Sequence, residues 1–276
     1  MPVDAPVVLW TMEPYYDAYA ERPRFATEGA LEKRYEPGRD AITPELATAV
    51  ARDGWTRAHL AEQVDLFVLH YDACGTSRAC FRVLQDERQL SVHFLLDLDG
   101  TIYQTLDLRE QAWHARAANP RSIGVEIAHV GAFPPGERAR FARWYEWTED
   151  GVRLRLPPAV GDGGLRTSFG GRPAREELVS GPIHGATFVQ PDFTDEQYRS
   201  LAALAAALAR VFPRIELAAP RDASGAVRRD ALGDEEELAF HGILGHYHLQ
   251  TDKRDPGPAF DWERFLAEAR ALVLRP

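Results

Sequence analysis

The stretch VDLFVLH, residues 64–70, is a short and almost continuously apolar run that ends in a histidine. Apolar runs of about four to eight residues are typical of strands buried within a sheet. We therefore predict a buried strand here. His70 would emerge where this strand ends, which is a usual place for functional sites in α/β folds.

Segments beyond this strand predict the rest of a sheet. Residues 77–88 have a helical pattern, and the two β-rich runs of SVHFLLDLDGTIYQTLDL flank Asp99-Gly100, which is a strong hairpin signal. SIGVEIA, residues 122–128, predicts another strand, and FHGILGHYHL, residues 240–249, predicts a last short one.

Two long helices are predicted in the second half of the chain. In FTDEQYRSLAALAAALARVFP, Thr194 and Gln197 form a capping-box pattern, and Pro213 ends the helix. Asp261 caps a terminal helix that runs to about Val273. The order of these elements predicts an α/β fold with a mixed central β-sheet flanked by helices.

Two segments lie outside this pattern. Residues 1–60 form an N-terminal extension that we expect to pack on the core. Residues 61–276 form the main domain, with an insertion at residues 131–191 that contains a β-hairpin turning at Asp150-Gly151. Long ordered insertions are often functional. We expect this one either to wall one side of a substrate groove or only to add stability.

The composition excludes several classes of protein. The chain has 276 residues, 45% of them hydrophobic, and a formal net charge of −10 with acidic residues spread along its length. This charge argues against binding to nucleic acid or to an anionic membrane surface. No apolar run approaches the roughly 20 residues of a membrane span. The N-terminus lacks the order of a signal peptide, so we expect no export address unless a leader has been removed.

Histidine and acidic residues near the predicted strand ends are candidate metal ligands. His70 ends the first strand, His246 follows Gly245 near the last strand, and Asp255 comes soon after. A catalytic zinc takes three protein ligands from His, Asp, Glu or Cys and keeps one position open. Lys253 is two residues from Asp255, so both side chains point the same way if this segment is extended.

Six blocks in a fixed order give the chain a recognisable pattern. It closely resembles the zinc-dependent N-acetylmuramoyl-L-alanine amidases, the family that includes phage lysozyme-like amidases and peptidoglycan recognition proteins. The resemblance covers about residues 64–130 and 192–273, and its most specific block is the last. The blocks are FVLH, HFLLDLDGTIYQTLDL, AWHA, NPRSIGVEIA, GHYHL and KRDPGPAFDW.

The resemblance implies one Zn²⁺ per chain, bound by His70, His246 and Asp255. His248 is the rival to His246, because on a strand the two side chains would face the same side. The family's Gly-His pair favours His246. His93 falls inside the predicted hairpin, and we expect it to be structural.

The resemblance also implies catalytic and substrate-binding residues. Glu126 matches the family's catalytic glutamate and Lys253 its catalytic lysine. A glutamate and a lysine suit amide hydrolysis by a metal-bound water. The glutamate can take a proton from the water, and the lysine can stabilise the oxyanion of the tetrahedral intermediate. Trp113, His114 and Asn119 match positions expected to contact the substrate. For His114 and Asn119, hydrogen bonds that only order their loop are an equal alternative.

The implied function is hydrolysis of the amide bond between N-acetylmuramic acid and L-alanine in peptidoglycan or muropeptides, by a monomer. Two alternatives remain open. One is a non-catalytic peptidoglycan-binding recognition module, and the other is a zinc amidase redirected to another acyl-peptide substrate. Recognition modules typically lack one or more ligands, whereas this chain keeps all three. This difference favours an enzyme.

The two cysteines bear on the cellular compartment. Cys74 and Cys80 match the spacing of a disulfide in peptidoglycan recognition proteins. A pair of this kind favours a periplasmic or extracellular location, where disulfides persist. Two free thiols in a cytoplasmic protein are the alternative, which agrees with the lack of a visible signal peptide.

Overall fold

A computed structural model of the protein describes residues 5–12, 16–25, 32–167 and 171–274. Its centre is a six-stranded mixed sheet in the spatial order β1-β5-β4-β7-β3-β12. The predicted mixed sheet is confirmed. The strands of this sheet are β1 (Val7–Leu9), β3 (Leu66–Tyr71), β4 (Phe94–Leu96), β5 (Ile102–Gln104), β7 (Ser122–Ile127) and β12 (Gly242–Gly245).

The middle of the sheet is parallel. β3 runs parallel to both β7 and β12, and β7 runs parallel to β4. β4 and β5 form the predicted antiparallel hairpin around Asp99-Gly100. Because parallel strands end at the same edge, the residues that end β3, β7 and β12 are brought close together.

Helices cover the sheet, and a large apolar core joins the sheet to α4 and α6. The capping box of Thr194 and Gln197 is present at the start of α4, and Asp261 caps α6, as predicted. The predicted helix at residues 77–88 begins as α3 and continues as a π-helical turn, Val83–Arg88. The helices are α1 (Pro44–Asp53), α2 (Arg57–Gln63), α3 (Ser77–Arg82), α4 (Asp195–Val211), α5 (Asp234–Ala239) and α6 (Trp262–Val273).

The described part of the N-terminal extension is built into the core. β1 pairs with β5 and so extends the central sheet, which the sequence did not lead us to predict. A second short pair joins β2 (Tyr35–Glu36) to β6 (Gln111–Ala112). The later part of the extension also forms the two helices α1 and α2.

The insertion forms two hairpins. β8 (Tyr145–Thr148) and β9 (Gly151–Leu154) make the predicted hairpin. A second hairpin, β10 (Val179–Ile183) with β11 (Ala186–Gln190), has no signal that we recognised in the sequence. Within the described ranges, no helix has the length and apolarity that crossing a membrane requires.

Candidate metal centre and active site

The site lies at the carboxyl edge of the parallel strands. His70 is the fifth residue of β3, and its partner in the register with β7 is Glu126. On the other side of β3, Gly245 pairs with Leu69, so His246 emerges directly beside His70. Residues paired in a parallel register point to the same face of the sheet. The sheet therefore places two histidines and a carboxylate together.

Asp255 completes a group of three ligand-type side chains. Its Oδ2 lies 3.0 Å from Nδ1 of His70 and 2.9 Å from Nδ1 of His246, and the two Nδ1 atoms are 2.9 Å apart. All three residues are at least nine-tenths buried. Among the described residues, this is the one cluster of His, Cys, Asp or Glu whose ligand atoms converge closely enough to hold a metal ion.

The donor set of this cluster fits zinc. Two imidazole nitrogens and one carboxylate oxygen are zinc's usual ligands at a catalytic site, and the fourth position is left to water or substrate. Ligands of a tetrahedral zinc with bonds of about 2.0–2.1 Å stand roughly 3.3 Å apart. The three observed separations are a few tenths of an ångström shorter, so a small outward movement would accommodate the ion.

The other ring nitrogen of each histidine is also held. Nε2 of His70 lies 2.9 Å from Nδ1 of His114, whose own Nε2 lies 3.2 Å from Oγ of Ser122. The side-chain amide of Gln250 lies 2.6 Å from Nε2 of His246. Such contacts fix the tautomer and the ring orientation of a metal ligand. Both Nδ1 atoms are therefore directed toward Asp255.

Burial and neighbouring charges set the protonation states. Burial alone would raise the pKa of Asp255, but His246 and His70 outweigh it and hold that pKa below its usual value. Burial, with a smaller contribution from His70, holds the pKa of His114 well below its usual value. Asp255 is thus anionic and His114 neutral near pH 7, as a metal ligand and its hydrogen-bonded neighbour require.

Glu126 has the properties of a base. Its Oε2 is buried and has no hydrogen-bond partner among the described residues. Burial raises the pKa of this carboxyl to about 7, and His70 opposes that rise. A carboxylate with a pKa near the working pH and an oxygen that has no hydrogen-bond partner can accept a proton and give it back.

An open cavity of about 690 Å³ surrounds these groups. Lys253 lies on its wall, with Nζ 3.5 Å from Asp252 Oδ2 and a side chain that is 36% exposed. Trp113, Asn119 and His114 also line it. None of the described residues of the insertion is among those that line this cavity, and its role as a wall of a substrate groove stays a prediction.

Two residues considered for the site, His248 and Asn119, have structural contacts, and so does His93, which was expected to be structural. The interpretation of His248 as a rival ligand is wrong, because His246–His248 is a 3-10 turn and not a strand, and Nε2 of His248 faces the carbonyl of Arg228. His93 is fully buried, and its Nδ1 accepts a hydrogen bond from the Gly124 amide. Oδ1 of Asn119 accepts hydrogen bonds from the amides of residues 114 and 115, so Asn119 orders its loop as well as lining the cavity.

Several residues at the site were not identified from the sequence. Ser122 and Gln250 hold the histidine rings, and the guanidinium-bearing Arg88 and Arg116 line the cavity. Only Gln250 carried a usable signal, since it lies four residues after His246 and can reach it across one turn of helix.

Cys74 and Cys80 are free thiols in the structure, and both line the cavity. Burial raises the pKa of the Cys80 thiol well above its ordinary value, whereas the neighbouring Cys80 thiol lowers the pKa of Cys74. The expected location in an oxidising compartment stays a prediction.

Residues 60–162 match a family model described as N-acetylmuramoyl-L-alanine amidase. The match contains His70, His114 and Glu126 and ends before β10. It covers less than half of the chain. Comparison with curated proteins gives no match.

Several solved structures are similar in outline. A selenomethionine derivative of AmpD is 21% identical, over 75% of this chain and 86% of that one, with a TM-score of 0.37. AmiD from E. coli, an N-acetylmuramyl-L-alanine amidase solved with the substrate anhydro-N-acetylmuramic acid-L-Ala-D-gamma-Glu-L-Lys, is 16% identical over 75% of this chain, with a TM-score of 0.41. This chain spans 57% of AmiD. Staphylococcus aureus AmiA, a hydrolase solved with its ligand, is 14% identical over 88% of this chain and 98% of that one, with a TM-score of 0.40.

Proposed function

We propose, from the match of residues 60–162 to the N-acetylmuramoyl-L-alanine amidase family model, that the chain is a zinc-dependent hydrolase that cuts the amide bond between N-acetylmuramic acid and L-alanine in peptidoglycan or muropeptides. One observation carries the zinc requirement. His70, His246 and Asp255 converge beside Glu126 at the floor of an open cavity.

His70, His246 and Asp255 would hold the zinc ion, which would supply a Lewis acid to polarise the amide carbonyl. Glu126 acts on the attacking water. Its unpartnered Oε2 takes a proton as the new C–O bond forms, and the protonated carboxyl then gives that proton to the leaving nitrogen of L-alanine. A pKa of about 7 suits both directions of transfer.

Lys253 supplies positive charge to the oxyanion. Its ammonium group is on the cavity wall, and its nearest described carboxylate, Asp252, is 3.5 Å away and 60% exposed. That pair is weak because water screens it. The ammonium group is therefore free to turn toward the negative charge that develops on the substrate.

The test is mass spectrometry of the purified protein incubated with soluble muropeptides and with intact sacculi. We expect stem peptides with a free L-alanine amine to be released when zinc is present, and no release with a chelator or with Glu126→Gln. If zinc is bound and neither substrate is cut, the proposed function is wrong. Tight muropeptide binding in that experiment would then identify a recognition module.

A further inference from the structure

The β10–β11 hairpin packs directly against the segment that carries Lys253 and Asp255. This hairpin belongs to the insertion and lies outside the residues that match the family model. Along β11, Phe188 and Gln190 are two residues apart and so face the same side of the strand. That side faces residues 253–259.

Gln190 is the centre of this contact. Its side chain is fully buried, its Nε2 donates to the carbonyl of Pro256 at 3.0 Å, and its Oε1 accepts from the amide of Ala259 at 3.0 Å. Gly257 lies between these two partners, and a Cβ added there would stand 2.2 Å from Oε1 of Gln190. One side chain thus spans the turn that begins at Asp255.

His184 makes the second contact, at the tip of the hairpin. Its Nε2 lies 2.9 Å from the carbonyl oxygen of Lys253, which can only accept, so the ring nitrogen donates. Between these two points, Arg254 lies 4.7 Å over the ring of Phe188 and donates to the carbonyl of Ala132. The insertion therefore contacts this segment on both sides of Asp255.

We propose that the β10–β11 hairpin positions the site: Gln190 holds Asp255 in place as a metal ligand, and His184 holds the backbone of Lys253. Neither residue touches the metal site or the cavity. Each is a positioning residue whose effect passes through the backbone of residues 253–259. The proposal rests on the proposed function, but its first measurement needs no catalysis.

That measurement is the affinity for zinc, by competition with a chelating dye, and the absorption spectrum of the cobalt-substituted protein. We expect Gln190→Leu to bind zinc about 10- to 100-fold more weakly, the range found when groups that support metal ligands are removed. The cobalt spectrum should change with it, because one ligand is displaced. Gln190→Glu keeps the acceptor for the Ala259 amide but loses the donor to Pro256. Its zinc affinity should therefore lie between those of the wild-type protein and Gln190→Leu.

The matched control is Gln85→Leu. Gln85 is also buried and also donates to a backbone carbonyl, that of Asp17, at 3.2 Å, and it is not among the cavity-lining residues. Its loss should leave zinc affinity and the cobalt spectrum unchanged. Wild-type affinity and an unchanged spectrum in both Gln190 variants would overturn the positioning role of Gln190.

The role of His184 is tested by measuring zinc affinity and kcat separately in His184 variants. His184→Ala should retain zinc but lower kcat, by up to about 100-fold if Lys253 moves by an ångström, and His184→Gln, which restores a donor, should recover activity. An unchanged kcat in His184→Ala would overturn this half of the proposal. If the wild-type protein cuts no muropeptide, the proposed function fails, while the zinc and cobalt measurements on Gln190 still decide the other half.

Discussion

His70 and Glu126 are direct partners in the parallel register of β3 and β7. Neighbouring strands are about 4.8 Å apart, and paired residues share a face. A metal ligand and an acid–base group are therefore held side by side by the most buried part of the sheet. Neither depends on a loop for its position, unlike Lys253 and Asp255.

The first prediction concerns Glu126. Glu126→Gln preserves the size of the side chain but cannot take a proton, so kcat should fall by about 10²- to 10⁴-fold. Zinc content, measured by atomic emission, should remain at one per chain because Glu126 is not a ligand. Near-native turnover in this variant would rule out its role as the base.

The second prediction separates the ligands from the rival histidine. His246→Ala should lose zinc, because only two ligands remain in the cluster. His248→Ala should keep zinc at full occupancy but unfold at a lower temperature, since His248 is fully buried beside Trp262 and caps the Gly245 amide. The comparison uses zinc content together with Tm, and loss of zinc from His248→Ala alone would contradict the assignment.

The third prediction concerns Gly124, which lies against the ring of His114. A Cβ at residue 124 would stand 2.6 Å from that ring, closer than side chains can approach. Gly124→Ala should therefore displace His114, release Nε2 of His70 and weaken zinc binding by about 10-fold or more.

The control for Gly124 is the double variant with His114→Ala. If the added methyl group acts only through the His114 ring, the double variant should bind zinc as well as His114→Ala alone. A further loss in the double variant would show that Gly124 acts by another route.

The fourth prediction is a pH profile. Since Glu126 must be ionised to act as a base, kcat/KM should fall as the pH drops below about 7, or somewhat lower once the charge of bound zinc stabilises the carboxylate. Arg88 lowers the pKa of Glu126. Arg88→Gln should therefore move the acid limb to higher pH, and a limb that stays fixed would show that another group controls it.

The sequence predicted those parts of the molecule whose signal is local. The apolar run before His70, the Asp99-Gly100 turn and the capping box at Thr194 each gave the right element, because a few neighbouring residues decide them. His248 was misjudged because the chain turns immediately after β12, and a two-residue spacing means one face only on a strand.

The contacts of Gln190 could not be predicted at all. Gln190 meets Pro256 across 66 positions of sequence, and nothing in its own neighbourhood marks it. Burial of a glutamine amide between two backbone groups is a property of the folded arrangement. The same holds for the placement of Glu126 beside His70, which required the register of β3 and β7 as well as both strands.

The last prediction is a pH dependence of stability that is independent of the metal site. Asp97 is fully buried, its Oδ1 accepts from the amides of Ser77 and Leu98, and its Oδ2 has no partner among the described residues. Burial raises the pKa of this carboxyl to about 7, although the two amides oppose the rise. Well below pH 4 the Asp97 carboxyl is protonated in both the folded and the unfolded chain, so its burial then costs no free energy of ionisation.

Between pH 4 and 7 the unfolded chain releases this proton more readily than the folded chain, so the wild-type protein loses stability as the pH rises. The loss is complete above about pH 7 and amounts to at most about 4 kcal/mol for a shift of this size. Asp97→Asn keeps the Oδ1 acceptor and has no such titration. Urea unfolding of both metal-free proteins at several pH values should therefore show the free energy of unfolding of Asp97→Asn rising relative to wild type from pH 4 to pH 8. A constant difference over that range would mean that Asp97 titrates normally in the fold.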